Sequence, residues 1–134
     1  MAGYSETPLV KKLGIREGFR VATVDAPPDY RRLLAPLPPA VKFIESATFS
    51  TSLVHVFVKN RQKLQRALFE LRETLGPNSV LWVSWPKQNS GVASELTEDA
   101  VRAAALPLGF VDVKVCAVTE VWSGLKLVLR RELR

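Results

Sequence analysis

Chemistry in this chain would come from the polar residues that follow its apolar runs. Asp25 follows FRVATV, Lys59 and Asn60 follow LVHVFV, and Lys87, Gln88, Asn89, Ser90 and Gly91 follow VLWVSWP. Two ammonium groups with amide and hydroxyl donors beside them suit a small anion such as a phosphate or a carboxylate. Asp25, Lys59, Asn60, Trp85, Lys87 and Ser90 are therefore the candidate ligand-binding residues, with Trp85 as a wall next to Pro86. The competing reading is an ordinary solvated rim, because loops are polar whether or not they bind anything.

The usual nucleophiles and bases are scarce. His55 is the only histidine and lies in the middle of an apolar run, where a catalytic base would lack an orienting partner and a place for substrate. It reads as a core histidine, and every Ser-His-Asp assembly would have to use it. Cys116 sits among valines, so it reads as a buried, inert thiol. One histidine and one cysteine leave no ligand set for a structural zinc. No catalytic residue is assigned, and neither a metal nor a cofactor is expected. Trp122, between Glu120 and Ser123 in a short connection, is either a partner-contact anchor at a loop tip or a ring folded back onto the body.

These residues need elements to hold them. Strands are expected at about Phe19–Val24, Val41–Glu45, Leu53–Val58 and Val80–Trp85, and in the alternating segments Phe110–Thr119 and Leu125–Leu133. In the first alternating segment Val111, Val113, Val115 and Ala117 would share a face; in the second, Leu125, Leu127 and Leu129 would do so and would need cover from a helix or a second chain. Leu64, Ala67, Leu68, Leu71 and Leu75 mark one face of the strongest helix, capped by Asn60 and stopped by Gly76 and Pro77. Thr97 caps another helix, with Glu98 and Asp99 in its first turn and a Leu96–Val101 staple. Short helices are expected after Thr7, as a cap with Pro8 at the first helical position, and near Asp29–Leu34. The order β-α-β-β-α-β-α-β-β predicts a three-layer α/β domain spanning residues 1–134. Its sheet would be mostly parallel, Rossmann-like, and closed by an antiparallel hairpin.

Composition bounds the partners. The chain has 134 residues, 47% of them apolar and 24% charged, with a net charge of +6. The basic runs Arg31–Arg32, Lys59–Arg66 and Arg130–Arg134 fall in separate elements without interleaved aromatics, which weighs against nucleic acid and for a solvated basic surface. No signal-peptide pattern or membrane-length apolar run is present, and a lone cysteine gives no internal disulfide, so a cytoplasmic location is expected. A protein partner, a second copy of the chain or a small anionic ligand remain the open partners.

Two resemblances add to this. The buried strand, the capped helix ending in LPLGF and the paired finish DVKVCAVTEVWSGLKLVLRR resemble the C-terminal half of Rossmann-fold methyltransferases, over about Leu53 to Arg134. That resemblance implies a methyltransferase-like fold, but not its cofactor chemistry. S-adenosylmethionine enzymes carry a glycine-rich turn after the first strand, whereas here the turn reads Asp25, Ala26, Pro27, Pro28, Asp29, Tyr30. Glu45 is the counterpart of the usual acid after the second strand. No G-x-G-x-x-G or P-loop pattern occurs elsewhere. Over the whole chain, GYSETPLVKKLGI, LWVSWPKQNSG and VDVKVCAVTEVWSGLKLVLRRELR resemble a small bacterial family of uncharacterised function, which implies a compact cytoplasmic protein and brings no known activity or catalytic residue with it. The reading is a binding or regulatory module on a degenerate methyltransferase-like fold. A small enzyme or anion binder using Asp25, Lys59 and Lys87 is the alternative, and weak nucleic-acid binding through the basic surface is the second.

Overall fold

Two strands have no polar face. β3 (Leu53–Phe57) is buried at every position, and β4 (Val80–Pro86) is buried from Leu81 to its end. Residues alternate across a strand, so each of these must be covered on both sides. A computed structural model describes residues 7–134 and shows how this is done; residues 3–6 of the opening GYSETPLVKKLGI segment lie outside it.

The elements run α1 (Leu9–Leu13), β1 (Arg20–Val24), α2 (Tyr30–Leu34), β2 (Lys42–Ile44), β3, α3 (Arg61–Thr74), β4, α4 (Glu98–Ala105), β5 (Phe110–Ala117) and β6 (Trp122–Leu129). The sheet order is β2-β1-β3-β4-β6-β5. The first four strands are parallel, and β6 is antiparallel to both β4 and β5. This is the expected three-layer arrangement with a closing hairpin.

One face packs Val54, Val56, Leu81, Val83, Trp85, Leu125 and Leu127 under Leu64, Leu68 and Leu71 of α3 and Val101 and Ala105 of α4. The leucine face of β6 is thus covered by helices of the same chain. The other face packs Leu53, Phe57 and Trp82 against Val10 and Leu13 of α1 and Tyr30 and Leu34 of α2. Trp82 and Trp85, of opposite parity, serve one face each. The Trp82 indole N–H donates to the Leu13 carbonyl at 3.0 Å, which ties α1 to the centre of the sheet.

Capping residues act as their types predict. Asn60 accepts from the Lys63 amide at 2.9 Å, and Thr97 from the Ala100 amide at 3.1 Å. At α1 the expectation changes. Pro8, not Thr7, is the capping residue, and its carbonyl accepts from the Lys11 and Lys12 amides. The β2–β3 connection crosses from one side of β1 to the other in residues 45–52 with no helix, packing Ala47 against the α3 side. The short strands permit this, since eight residues outreach a five-residue strand.

The closing hairpin departs from the expected alternation. A bulge at Val113 moves the register, so Asp112 pairs with Leu127 whereas Lys114 pairs with Lys126. Asp112 and Lys114 therefore lie on opposite faces, and Val113 and Val115 are exposed on an edge strand that the bulge makes irregular. β6 begins at Trp122, earlier than expected, and ends at Leu129; a 3₁₀ turn, Arg131–Leu133, takes up the rest.

Gly124 of β6 faces the Trp82 side, and a Cβ there would lie 2.8 Å from Val118 Cγ2 and 3.2 Å from Trp82 Cε3. Both neighbours are buried and stiff, so overpacking outweighs the usual gain from replacing a strand glycine. Gly124→Ala is expected to lower unfolding stability by about 1–3 kcal/mol, measured by urea denaturation. A variant as stable as the parent would show that this contact yields.

Candidate functional site

The ends of β1 and β2 and the start of α2 enclose a cavity of about 530 Å³. Its walls include Thr23 and Asp25 from β1 and the turn after it, Phe43 and Glu45 from β2 and just beyond, and Tyr30 and Arg31 from α2. The volume is in the range of small-molecule sites, and the position is at the carboxyl ends of parallel strands, where open α/β sheets bind ligands. The Arg31 guanidinium stacks on the Phe43 ring, 4.4 Å from its centroid. Two carboxylates and one guanidinium give the lining an acidic excess, suited to hydroxyl or amine groups rather than to an anion.

The turn that forms part of this cavity has an unusual build. Asp25 has a φ of 56°, a left-handed conformation that asparagine and aspartate tolerate better than most side chains. Pro27 and Pro28 follow and carry no amide hydrogen, and the Tyr30 amide is already used on the Pro27 carbonyl at 3.0 Å. α2 has only five residues.

Of the candidate ligand residues, only Asp25 lines this cavity. Asp25, Lys59 and Lys87 follow three successive strands, β1, β3 and β4, so Lys87 is two strand spacings, about 10 Å, from the line of β1. The Asn60 side chain is used as the α3 cap. Ser90 Oγ accepts from the Val92 amide at 3.2 Å within a 3₁₀ turn. Trp85 is buried in the α3–α4 layer. The Lys87 amide donates to Val121 at 2.8 Å, tying that loop to the hairpin and away from β1.

The chain also occupies the end of β3 itself. The Lys59 carbonyl accepts from the Glu95 amide and from Ser94 Oγ, and the Glu95 carboxylate accepts from the Arg61 amide at 3.0 Å. α3 has no acid in its first turn, so Glu95 supplies one from the loop and satisfies an amide that an anion would have used. Trp122 is a half-buried strand residue, not a loop tip. Its ring meets Phe57 edge-on with centroids 5.1 Å apart.

Sequence reasoning missed a buried polar chain on the α1–α2 face. Tyr30 Oη lies 2.8 Å from His55 Nδ1, and Ser84 Oγ lies 2.7 Å from His55 Nε2. His55 is stacked on Phe57, with centroids 4.3 Å apart. A neutral imidazole has one donor and one acceptor, so one hydroxyl donates to it and the other accepts. Ser–His–Tyr contacts of this kind could suggest an activated nucleophile, but Ser84 and His55 are both fully buried, so no substrate reaches either. Burial pushes the His55 pKa down to about 3 and the Tyr30 phenol up. Among the described residues, no buried side-chain nitrogen or oxygen lacks a partner. The only sequence signal for this chain was a histidine and a serine in otherwise apolar strands.

No protein-family model matches the chain, and no curated protein matches it. Solved structures do. A SAM-dependent methyltransferase from Aquifex aeolicus aligns with a TM-score of 0.64 and 14% identity over 89% of this chain and 86% of its own. A putative type 11 methyltransferase from Sulfolobus solfataricus aligns at 0.58 with 14% identity, over 84% of each chain. Aeropyrum pernix fibrillarin, in complex with natively bound S-adenosyl-L-methionine, aligns at 0.60 with 10% identity over 92% of this chain and 69% of its own. The fold is Rossmann-like and of the methyltransferase type.

The cavity does not fit S-adenosylmethionine held by the backbone of the first turn. Glu45 suits a ribose diol and Asp25 an ammonium, but Pro27 and Pro28 carry no amide hydrogen, so the turn lacks main-chain donors for the carboxylate.

Protonation of His55 sets a stability prediction. Its pKa falls from 6.5 to about 3 on folding, so between those values the unfolded chain binds a proton that the folded chain does not. Stability should therefore drop as pH falls from 6.5 towards 3, by up to about 1.4 kcal/mol per pH unit from this group. Urea midpoints of the parent and of His55→Gln, compared from neutral to acid pH, should show a shallower acid slope in the variant; parallel slopes would refute the assignment. Tyr30→Phe leaves a ring nitrogen without its partner and should cost about 1–3 kcal/mol at neutral pH.

Proposed function

We propose that the protein is a small-ligand-binding module on a methyltransferase-like fold, with its ligand in the Asp25–Glu45 cavity, and that it does not transfer methyl groups. The observation that carries this reading is the turn Asp25-Ala26-Pro27-Pro28, which takes the place of a glycine-rich turn beside a cavity of about 530 Å³. The cavity keeps the location a ligand uses in such folds while its chemistry differs.

The lining indicates the class of ligand. Carboxylates accept hydrogen bonds from hydroxyl and amine groups, and a cation gains further from the acidic excess. Phe43 and the Arg31 guanidinium stacked on its ring add a flat wall. A nucleoside or a small polyhydroxylated amine meets these requirements; a phosphate or a dicarboxylate does not. Fibrillarin with natively bound S-adenosyl-L-methionine supports ligand binding on this type of fold by analogy only, since its identity to this chain is 10%.

Thermal-shift measurements against nucleosides, amino sugars, sugar phosphates and S-adenosylmethionine test the proposal. A stabilising nucleoside or polyhydroxylated amine is expected, with the shift lost in Glu45→Gln and Asp25→Asn. Micromolar S-adenosylmethionine binding by calorimetry would refute it.

A further inference from the structure

Folding gathers a set of cations that are dispersed in the sequence. Lys114 of β5 and Lys126 of β6 are direct cross-strand partners on the α1 side of the sheet. Lys12 of α1 reaches the same hairpin, its ammonium donating to the Ala117 carbonyl at 3.1 Å. Arg16 follows α1 and acts electrostatically on Lys126. α4 packs against β5 and β6 on the opposite side, leaving Lys114 exposed and Lys126 half-buried on this one.

Like charges directly opposite each other weaken a strand pair. Among the described residues, no carboxylate lies within 4.0 Å of Arg16, Lys114 or Lys126. The other face of the same hairpin is different. There Arg102 contacts Glu98, Asp99 and Asp112, so the chain pairs its cation fully where α4 meets the hairpin. Burial, and then the charges of Lys114 and Arg16, hold the Lys126 ammonium below the ordinary lysine range. The Lys114–Lys126 pairing costs stability that an anion bound there would offset.

We propose that this face of the β5–β6 hairpin, with Lys114 and Lys126 at its centre and Lys12 and Arg16 at its rim, binds the phosphate backbone of a nucleic-acid duplex. The cations come from three places in the chain and spread across an open sheet face, which suits an extended polyanion better than a small one. Single strands are usually held by exposed aromatic rings that stack on bases. Among the described residues the exposed aromatics, Phe49 and Phe69, belong instead to the β2–β3 crossover and α3, and Trp122 is packed on Phe57. Contact is therefore with phosphates, and independent of sequence. This inference does not depend on the cavity beside β1.

Fluorescence anisotropy with a labelled short duplex, from about 50 to about 200 mM salt, tests it. The parent should bind, with affinity falling as salt rises, and Lys114→Gln/Lys126→Gln should bind more weakly, with a log–log salt slope shallower by about 1.8. Lys63→Gln/Arg66→Gln, on α3, removes the same charge and should leave binding unchanged. Three results would overturn the proposal: equal loss in both double variants, which marks a net-charge effect; preference for single strands or phosphatidylserine vesicles over duplex; or no duplex binding at the lowest salt. Urea denaturation of the Lys114→Gln/Lys126→Gln protein separates lost binding from lost folding, since removing a like-charge pair should not lower its stability.

Discussion

Burial of β3 and β4 on both faces is the constraint from which the other features follow. A strand reading Leu-Val-His-Val-Phe has no side that can face water, and its neighbour places Trp82 and Trp85 on opposite faces. Such strands are stable only between two helical layers, and a chain of this length has little helix to spare. The long amphipathic α3 and the capped α4 cover one face. The other receives two five-residue helices, too short to persist alone, which gain their stability from docking. The indole hydrogen bond from Trp82 to the end of α1 and the Tyr30–His55–Ser84 chain under α2 are what fix those short helices in place.

That economy of helix also shapes the candidate site. In a sheet of this type the ligand edge is built by the turns leaving the parallel strands. Here the turn after β1 enters a single helical turn through two prolines, so few amides remain to hold an anion, while Asp25 and Glu45 contribute negative charge. The turns after β3 and β4 are occupied internally, by Asn60 and Glu95 on α3 and by the Lys87–Val121 link to the hairpin. Among the described residues an open cavity lies beside β2, and its electrostatic sign is opposite to that suggested by the lysines in the sequence.

Much of the fold was legible from local pattern. The helical spacing of Leu64, Leu68 and Leu71, the caps at Asn60 and Thr97, and the apolar runs of β3 and β4 each depend on residues close together in the chain. The hairpin was legible from its short connection, though not its bulge, because one extra residue at Val113 leaves the alternating composition intact while shifting the register. Asp25 could be found as the polar residue ending a strand. Of its cavity partners, Glu45 was reached only through the methyltransferase resemblance, and Arg31 could not be placed there, because their proximity depends on β2 lying outside β1 and not next to β3.

What the sequence determined by itself was the set of elements and their order along the chain, since periodicity and capping are read over a few residues. Only the tertiary structure decided which polar groups meet. His55 and its two hydroxyl partners are 25 and 29 residues apart, and Lys114 and Lys126 face each other only because of the hairpin register. Strand order and register are collective properties of the packed sheet. A charge or hydroxyl carries no local mark of the neighbour it will acquire there.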